Sequence, residues 1–336
     1  MVNNANMNLL YRVKKFIQTH TLIARGDTIL VGVSGGADSI VLARILTELR
    51  HELGFQLHIA HFNHQLRQSS ARDQKFVEQF ANELHLPFTS GTWKGSKSPR
   101  NGSLENLARQ KRLTFLIDVA KKTKAQSIAL AHNQNDLAET ILMRMIRGAG
   151  LQGSRGILAK RTLYGKTFIR PLLETPRIEI ERYLKSNRLK FQTDPTNTQT
   201  KFFRNKIRLH LLPTLQKNYN PNIVKVLSNL ATNVTIDYDY LEKQTKKILK
   251  SIATYSKQNK SIKINTLKLL NQHPAIQHMI FRKCIERVKE DVLSFDLTHI
   301  QAIDDLIKNR PMRFEVHLPT SITIKKLSTR ILINKK

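Results

Sequence analysis

The sequence predicts an α/β protein, with a doubly wound parallel sheet over residues 1–216 and a second, smaller α+β domain over 217–336. Three observations predict it. Continuous apolar runs such as Thr28–Val33 are what strands need when both faces of a parallel sheet are covered. Those runs alternate with segments of helical period, the pattern of strands joined by crossover helices. Beyond about residue 217 the alternation gives way to long helical patterns and then to three short alternating segments.

Taken in order, Leu9, Leu10, Val13, Phe16 and Ile17 fall at helical spacing and predict a first helix ahead of the strand at Thr28–Val33. A helix over 37–53 follows, with Ile40, Val41, Ala43, Leu46 and Leu49 as its apolar positions, then a strand at 56–60 and a helix at 71–84. A short strand at 87–92 leads into the polar stretch GSKSPRNGS, expected to be a mobile loop. Ser103 then caps a helix running to Lys122, with Glu105 in its first turn, where a carboxylate suits the positive helix end. A strand at 127–131 and a helix at 136–147, closed by Gly148, complete the alternation. In the second domain helical patterns cover 222–252, 274–290 and 296–308, and strand patterns cover 312–318, 321–327 and 330–334.

The chain of 336 residues contains no apolar run near the roughly 18 that a membrane span needs and no secretory signal pattern, so a cytoplasmic protein with no membrane partner is expected. Its single cysteine, Cys284, stands in an apolar helical pattern and is expected to be a buried thiol, which leaves no disulfide or cysteine-rich metal site within the chain. The formal charge is +31. Both halves contribute: 34 basic residues against 15 acidic ones up to position 216, and 22 against 10 beyond it. So distributed an excess favours a polyanionic partner, most simply nucleic acid.

The informative junction is VGVSGGADSIVLA, residues 31–43. A buried strand running into Ser34, Gly35, Gly36, Ala37, Asp38 and Ser39 and then a helix makes an anion cradle. The glycines allow close backbone approach, and the helix N-terminus adds positive partial charge. Neither GxGxxG nor the Walker lysine is present. Asp38 is a poor neighbour for phosphate unless it holds a metal, and Mg²⁺ on one or two carboxylates plus phosphate oxygens is the ordinary arrangement.

SGGADS resembles the PP-loop of the N-type ATP pyrophosphatases, which cleave ATP to AMP and pyrophosphate while adenylating a substrate oxygen. Further motifs narrow the resemblance: HFNHQLR (61–67), SLENLARQKR (103–112), AHNQNDLAETILMRMIRGAGLQG (131–153), RPLL (170–173) and TDPTNTQTKFFRNKIR (193–208). In order and spacing over residues 28–212 the set is similar to the tRNA(Ile)-lysidine synthetase family. That resemblance implies a PP-loop, Rossmann-like fold, with ATP and Mg²⁺ as cofactors and L-lysine and tRNA(Ile) as partners; it leaves a homodimer open. The implied reaction adenylates C2 of the wobble cytidine and then lets the lysine side-chain amine displace AMP, giving lysidine for AUA decoding.

The resemblance assigns ATP binding to Ser34 through Ser39 together with His61 and His132, and Mg²⁺ to Asp38 and Asp136. Where the family pattern carries two acids this chain has Asn135 and Asp136, which leaves Asp136 as the metal ligand. Catalysis falls to Asp38, Asp136, Glu139, Arg109 and Arg112, with Glu139 orienting the amine or taking its proton. Contacts to the tRNA or lysine fall to Asn63, His64, Arg67, Glu105, Arg147, Arg204 and Arg208, the last two placed to face either the tRNA or the ATP phosphates. The second domain is implied to grip tRNA. A single cysteine argues against sulfur-inserting relatives, and no terminal glutaminase cysteine is present. Another PP-loop tRNA-modifying enzyme, or an inactive RNA-binding relative, remains the alternative.

Overall fold

A computed structural model of the chain describes residues 4–63, 70–93, 104–193, 203–256, 258, 260–289, 297–319 and 321–335. The chain divides into two compact units at 234/235, where pattern and charge put the expected boundary at 216.

In the first unit, α1 (Asn4–Thr19) turns Leu9, Val13, Phe16 and Ile17 inward. Then β1 (Thr28–Gly32), α2 (Ala37–Leu53), β2 (Gln56–Asn63), α3 (Ser70–Glu83), β3 (Phe88–Thr92), α4 (Leu104–Lys122), β4 (Ser127–Ala129) and α5 (Gln134–Ile146) follow the expected alternation. Past α5 the chain departs from it. After the short α6 (Leu151–Ser154) comes an antiparallel hairpin of β5 (Lys160–Leu163) and β6 (Lys166–Ile169). Its turn residues Tyr164 and Gly165 both have positive φ, 49° and 74°, the backbone whose twist matches a two-residue hairpin. Then come α7 (Arg177–Ser186), α8 (Phe203–Lys206), a π-helical turn (Ile207–Leu211) and α9 (Leu212–Asn218).

The sheet order is β3-β2-β1-β4-β6-β5, parallel except for β5 at its edge. β1 is covered on both faces, which explains its unbroken apolar run. Ile29 and Val31 join the core that includes α1, α2 and α7 residues, and Leu30 joins Leu116, Ile117, Ile128 and Phe168 on the α4 side. Full burial of each such side chain contributes ~1.5–3 kcal/mol. Strand order reverses at β1: the chain goes outward to β2 and β3, then returns across β1 to β4. The resulting crevice, at the carboxyl ends of β1 and β4, is where ligands bind in sheets of this kind.

The helix α10 (Ile223–Ile252) carries the division between units. The second unit continues with β7 (Ala253–Ser256), β8 (Ser261–Asn265), α11 (Thr266–Leu270), α12 (Pro274–Lys289), α13 (Leu297–Asn309), β9 (Glu315–Leu318), β10 (Ile322–Lys326) and β11 (Arg330–Lys335). Its antiparallel sheet runs β7-β8-β11-β10-β9, two strands more than the sequence pattern indicates. Ile264, Ile324, Ile331 and Ile333 of the sheet share one core with Phe281, Cys284 and Ile303 of the helices. Cys284 is fully buried there and its thiol is pushed up to about 12, so it is inert as expected. No described helix is long and apolar enough to cross a membrane.

Candidate active site

The loop between β1 and α2 is built from its own small side chains. Gly35 sits at φ +89°, a conformation that L side chains rarely adopt, and a Cβ there would lie 3.4 Å from Val77 Cγ2. The Ser39 hydroxyl donates to Gly36 O at 2.8 Å and accepts from Ser34 N at 3.2 Å, cinching the loop. Ser34 Oγ lies 3.2 Å from Ser39 Oγ. Gly36 is the N-cap of α2 and offers no side chain to it, so the first amides of the helix and its positive end are left for a ligand. Ala37 is buried beneath them.

Asp38, in the first turn of α2, meets the end of β4 through an asparagine. Asn133 Nδ2 donates to Asp38 Oδ1 at 3.0 Å. The same Asn133 caps α5: its Oδ1 accepts from Asp136 N at 3.0 Å, and Asp136 Oδ2 accepts from Asn133 N at 3.0 Å, a reciprocal capping box. One residue thus places two carboxylates from different strands in one crevice. Arg177, at the start of α7, donates through Nη1 to Asp38 Oδ2 at 2.5 Å. Asn135 accepts from Arg177 N at 3.0 Å, so it serves α7 rather than the crevice.

Burial raises the Asp38 carboxyl above its ordinary value; Arg177 opposes that shift and the neighbouring charge of Asp136 adds to it. A pair of oxygen ligands whose charges repel suits a hard divalent cation such as Mg²⁺. Among the described residues no three His, Cys, Asp or Glu side chains converge into a closed cage.

Deeper in, Asp136 and Glu139 share two arginines. Arg204 Nη2 and Arg208 Nη2 donate to Asp136 Oδ1 at 2.8 and 3.0 Å. Arg204 Nε reaches Glu139 Oε2 at 2.8 Å, and Arg208 Nε reaches Glu139 Oε1 at 2.6 Å. Glu139 is 1% exposed, so both of its oxygens are occupied in a dry setting. These carboxylates hold the Arg208 guanidinium above its ordinary value against the opposing effect of burial. The arginines come from α8 and the π turn, in which Leu212 N–H donates to Ile207 O across five residues. Ile207 and Leu212 are both buried in consequence, a spacing that an α-helix would send to different faces.

The other expected residues spread around this centre. His61, at the end of β2, is buried and its Nδ1–H donates to Val33 O at 2.8 Å, beside the loop; burial lowers its pKa. Asn63 Nδ2 donates to Gln74 Oε1 at 3.3 Å. His132 holds a buried Nδ1 with no hydrogen-bond partner, and burial drives its pKa far down, with Arg170, Arg204 and Arg112 acting in the same direction and Asp136 against it. Arg109 and Arg112 lie exposed on α4. Arg147 stacks over the Phe203 ring at 5.1 Å. His64 and Arg67 lie outside the described residues, as do Ser103, the GSKSPRNGS stretch and the Glu105 side chain.

Sequence reasoning missed Asn133, Arg177 and three further arginines. Arg144 Nη1 donates to Gly153 O and Gly156 O at 2.9 and 2.7 Å. Arg170 is 8% exposed; its Nη1 donates to Leu158 O at 2.7 Å, while its buried Nε has no partner. Burial, with Arg161 and Arg109 nearby, lowers both guanidiniums, that of Arg170 to about 10. Asn133 was legible as a helix cap inside AHNQND, and Arg144 and Arg170 stand inside quoted motifs without being singled out, while Arg161 and Arg177 carried no local signal.

Residues 5–215 match the PP-loop domain family. A tRNA(Ile)-lysidine synthase from Clostridium tetani is 37% identical over 91% of this chain and 65% of its own length. One from Clostridioides difficile is 33% identical over 97% of the chain and 70% of its length, and one from Geobacter sulfurreducens is 36% identical over 94% and 67%. The chain thus spans about two thirds of the length of these curated relatives. Among solved structures, the U34-tRNA thiolase NcsA from Methanococcus maripaludis shares the fold with a TM-score of 0.58 at 18% identity, covering 67% of this chain and 79% of that one.

Proposed function

The chain belongs to the PP-loop family and, within it, to the tRNA(Ile)-lysidine synthases, and from that membership we propose that it ligates L-lysine to C2 of the wobble cytidine of tRNA(Ile). ATP is consumed to AMP and pyrophosphate through an adenylated cytidine. The observation that carries this reading is the pair Asp38 and Asp136, tied through Asn133 beside the uncapped N-terminus of α2.

The geometry supports a division of labour. The amides of the Ser34–Ser39 loop suit the ATP phosphates, since they present donors and a helix dipole without a competing side-chain cap. Asp38 and Asp136 would hold Mg²⁺ in exchange for hydrogen bonds they now accept from Arg177, Arg204 and Arg208, and the ion would supply positive charge against the departing pyrophosphate. Arg177, Arg204 and Arg208 hold the same carboxylates in place, so the acids are oriented before the ion arrives. Glu139 is better suited to hold Arg204 and Arg208 in place than to take a proton from the amine, because both of its oxygens are saturated and buried. The basic second half of the chain supports a role in gripping tRNA.

The test is a reaction with ATP, Mg²⁺, lysine and a tRNA transcript bearing a CAU anticodon. Lysidine should appear in the digested RNA, with one AMP and one pyrophosphate formed for each lysidine and none without the tRNA. ADP as the stoichiometric product, or AMP formation that ignores the tRNA, would overturn the proposal.

A further inference from the structure

We infer that Arg109, Arg144, Arg161 and Arg170 form a subsite for a phosphodiester of the substrate RNA, next to the crevice in which the target nucleotide reacts; this rests on the reading above. The four come from α4, α5, β5 and the segment after β6. Among the described residues no carboxylate pairs with any of them, whereas Arg177, Arg204 and Arg208 all lie on acids. Two are anchored by backbone carbonyls that fix their direction without neutralising them: Arg144 by Gly153 and Gly156, Arg170 by Leu158.

Arg170 is the clearest case. A guanidinium that is 8% exposed, with an Nε that has no partner, is a charge withdrawn from water without its anion. Such a group is costly unless something else completes it. Backbone pairing of Leu130 N with Ile169 O brings the ends of β4 and β6 together, so Arg170 and His132, whose Nδ1 is likewise unsatisfied, flank the same edge. Beyond the effect of burial, the charges of Arg161 and Arg109 also lower the guanidiniums of Arg144 and Arg170, and an anion among them would relieve that repulsion.

The missing anion is more simply a nucleic-acid phosphate than an ATP phosphate. The loop after β1 and the start of α2 already present a phosphate cradle, and Arg161 and Arg170 lie across β4 from it, on β5 and just after β6. The four also come from four separate segments of the chain, which suits a chain of phosphates better than one compact group. A row of guanidiniums beside the reacting crevice would fix the register of the RNA strand without reading its sequence.

Arg161→Gln and Arg161→Ala in the full chain test this, because the side chain is exposed and no carboxylate among the described residues pairs with it. Fluorescein-labelled CAU anticodon stem–loop RNA is titrated at several salt concentrations, and the ATP KM is measured alongside. Each substitution should weaken RNA binding and reduce the slope of log K against log salt by about 0.7–0.9, with the ATP KM unchanged. Arg161→Lys should restore most of the slope, which a merely structural role would not do. Unchanged slopes in both the glutamine and the alanine variant would overturn the inference, as would a raised ATP KM with unchanged RNA slopes. Wild-type protein that binds the stem–loop but makes no lysidine would fail the proposed reaction and leave the slope comparison standing.

Discussion

Arg177, Arg204 and Arg208 each rest on a carboxylate of the crevice, while Arg109, Arg144, Arg161 and Arg170 gather in the same unit with none among the described residues. The first group is neutralised from within: Asp38, Asp136 and Glu139 compensate its charge, and its members are held in geometry by the fold. The second group is positioned by backbone carbonyls or left to solvent, and its charge is uncompensated. The difference separates two uses of the same side chain. A paired arginine stabilises and orients a site, whereas an unpaired one, particularly when buried, reserves a place for an anion from outside.

The comparison can be broken most forcefully at the acids. Asp136→Asn should lower tRNA-dependent pyrophosphate release by ~10²–10³-fold, the usual cost of removing one preorganised charge at a reacting centre. Glu139→Gln should destabilise the fold by about 2–3 kcal/mol in urea titration, somewhat under the ~3–5 kcal/mol of a fully buried pair because both guanidiniums reach solvent. An unchanged unfolding midpoint for that variant would dissolve the distinction between the groups.

Asp38 sharpens the comparison through pH. Its folded pKa is raised, so the folded state binds this proton more tightly than the unfolded chain does, and its ionisation costs stability as pH rises from near 3.8 through the folded value. Asp38→Asn should therefore melt above wild type at neutral pH, with the gap closing toward pH 3.8, while activity is lost. A variant that melts lower at pH 7 would mean that Arg177 outweighs burial. The smallest effect belongs to the unpaired group: Arg161→Gln should shift stability by no more than about 0.5 kcal/mol, in the stabilising direction, because it removes repulsion and no bond. Thermal melts of the two variants side by side check both signs.

Much of the crevice was readable before the fold. The run at Thr28–Val33, the helix at 37–53 and the acids of the β4–α5 junction depend on local pattern, and local pattern is what a sequence exposes. The helix after β4 begins at Gln134 rather than 136 because Asn133 caps it, a cue lost inside a motif read for its acids. The β5–β6 hairpin was missed because Lys160–Leu163 is a short, exposed edge strand with little apolar alternation. In the second unit β8, SIKIN, does alternate, but its neighbours are helical patterns that drew the reading past it. The partners of Arg204 and Arg208 lie more than sixty positions away, and such pairings become visible only when the chain is folded.

The π turn at Ile207–Leu211 makes the length of the chain itself a determinant of the site. Side chains can be exchanged at exposed Leu209 and His210 without touching the acids, but the residue count there cannot change by one. Deleting a single residue would return the turn to ordinary winding and rotate everything on one side of it by about 100° relative to the other. Either Leu212 would leave the core or Arg208 would leave Asp136 and Glu139. Among homologues, point changes should therefore accumulate in this segment while insertions and deletions stay out of it. A one-residue deletion at His210, compared with His210→Ala, would separate the demand for length from any demand for the side chain.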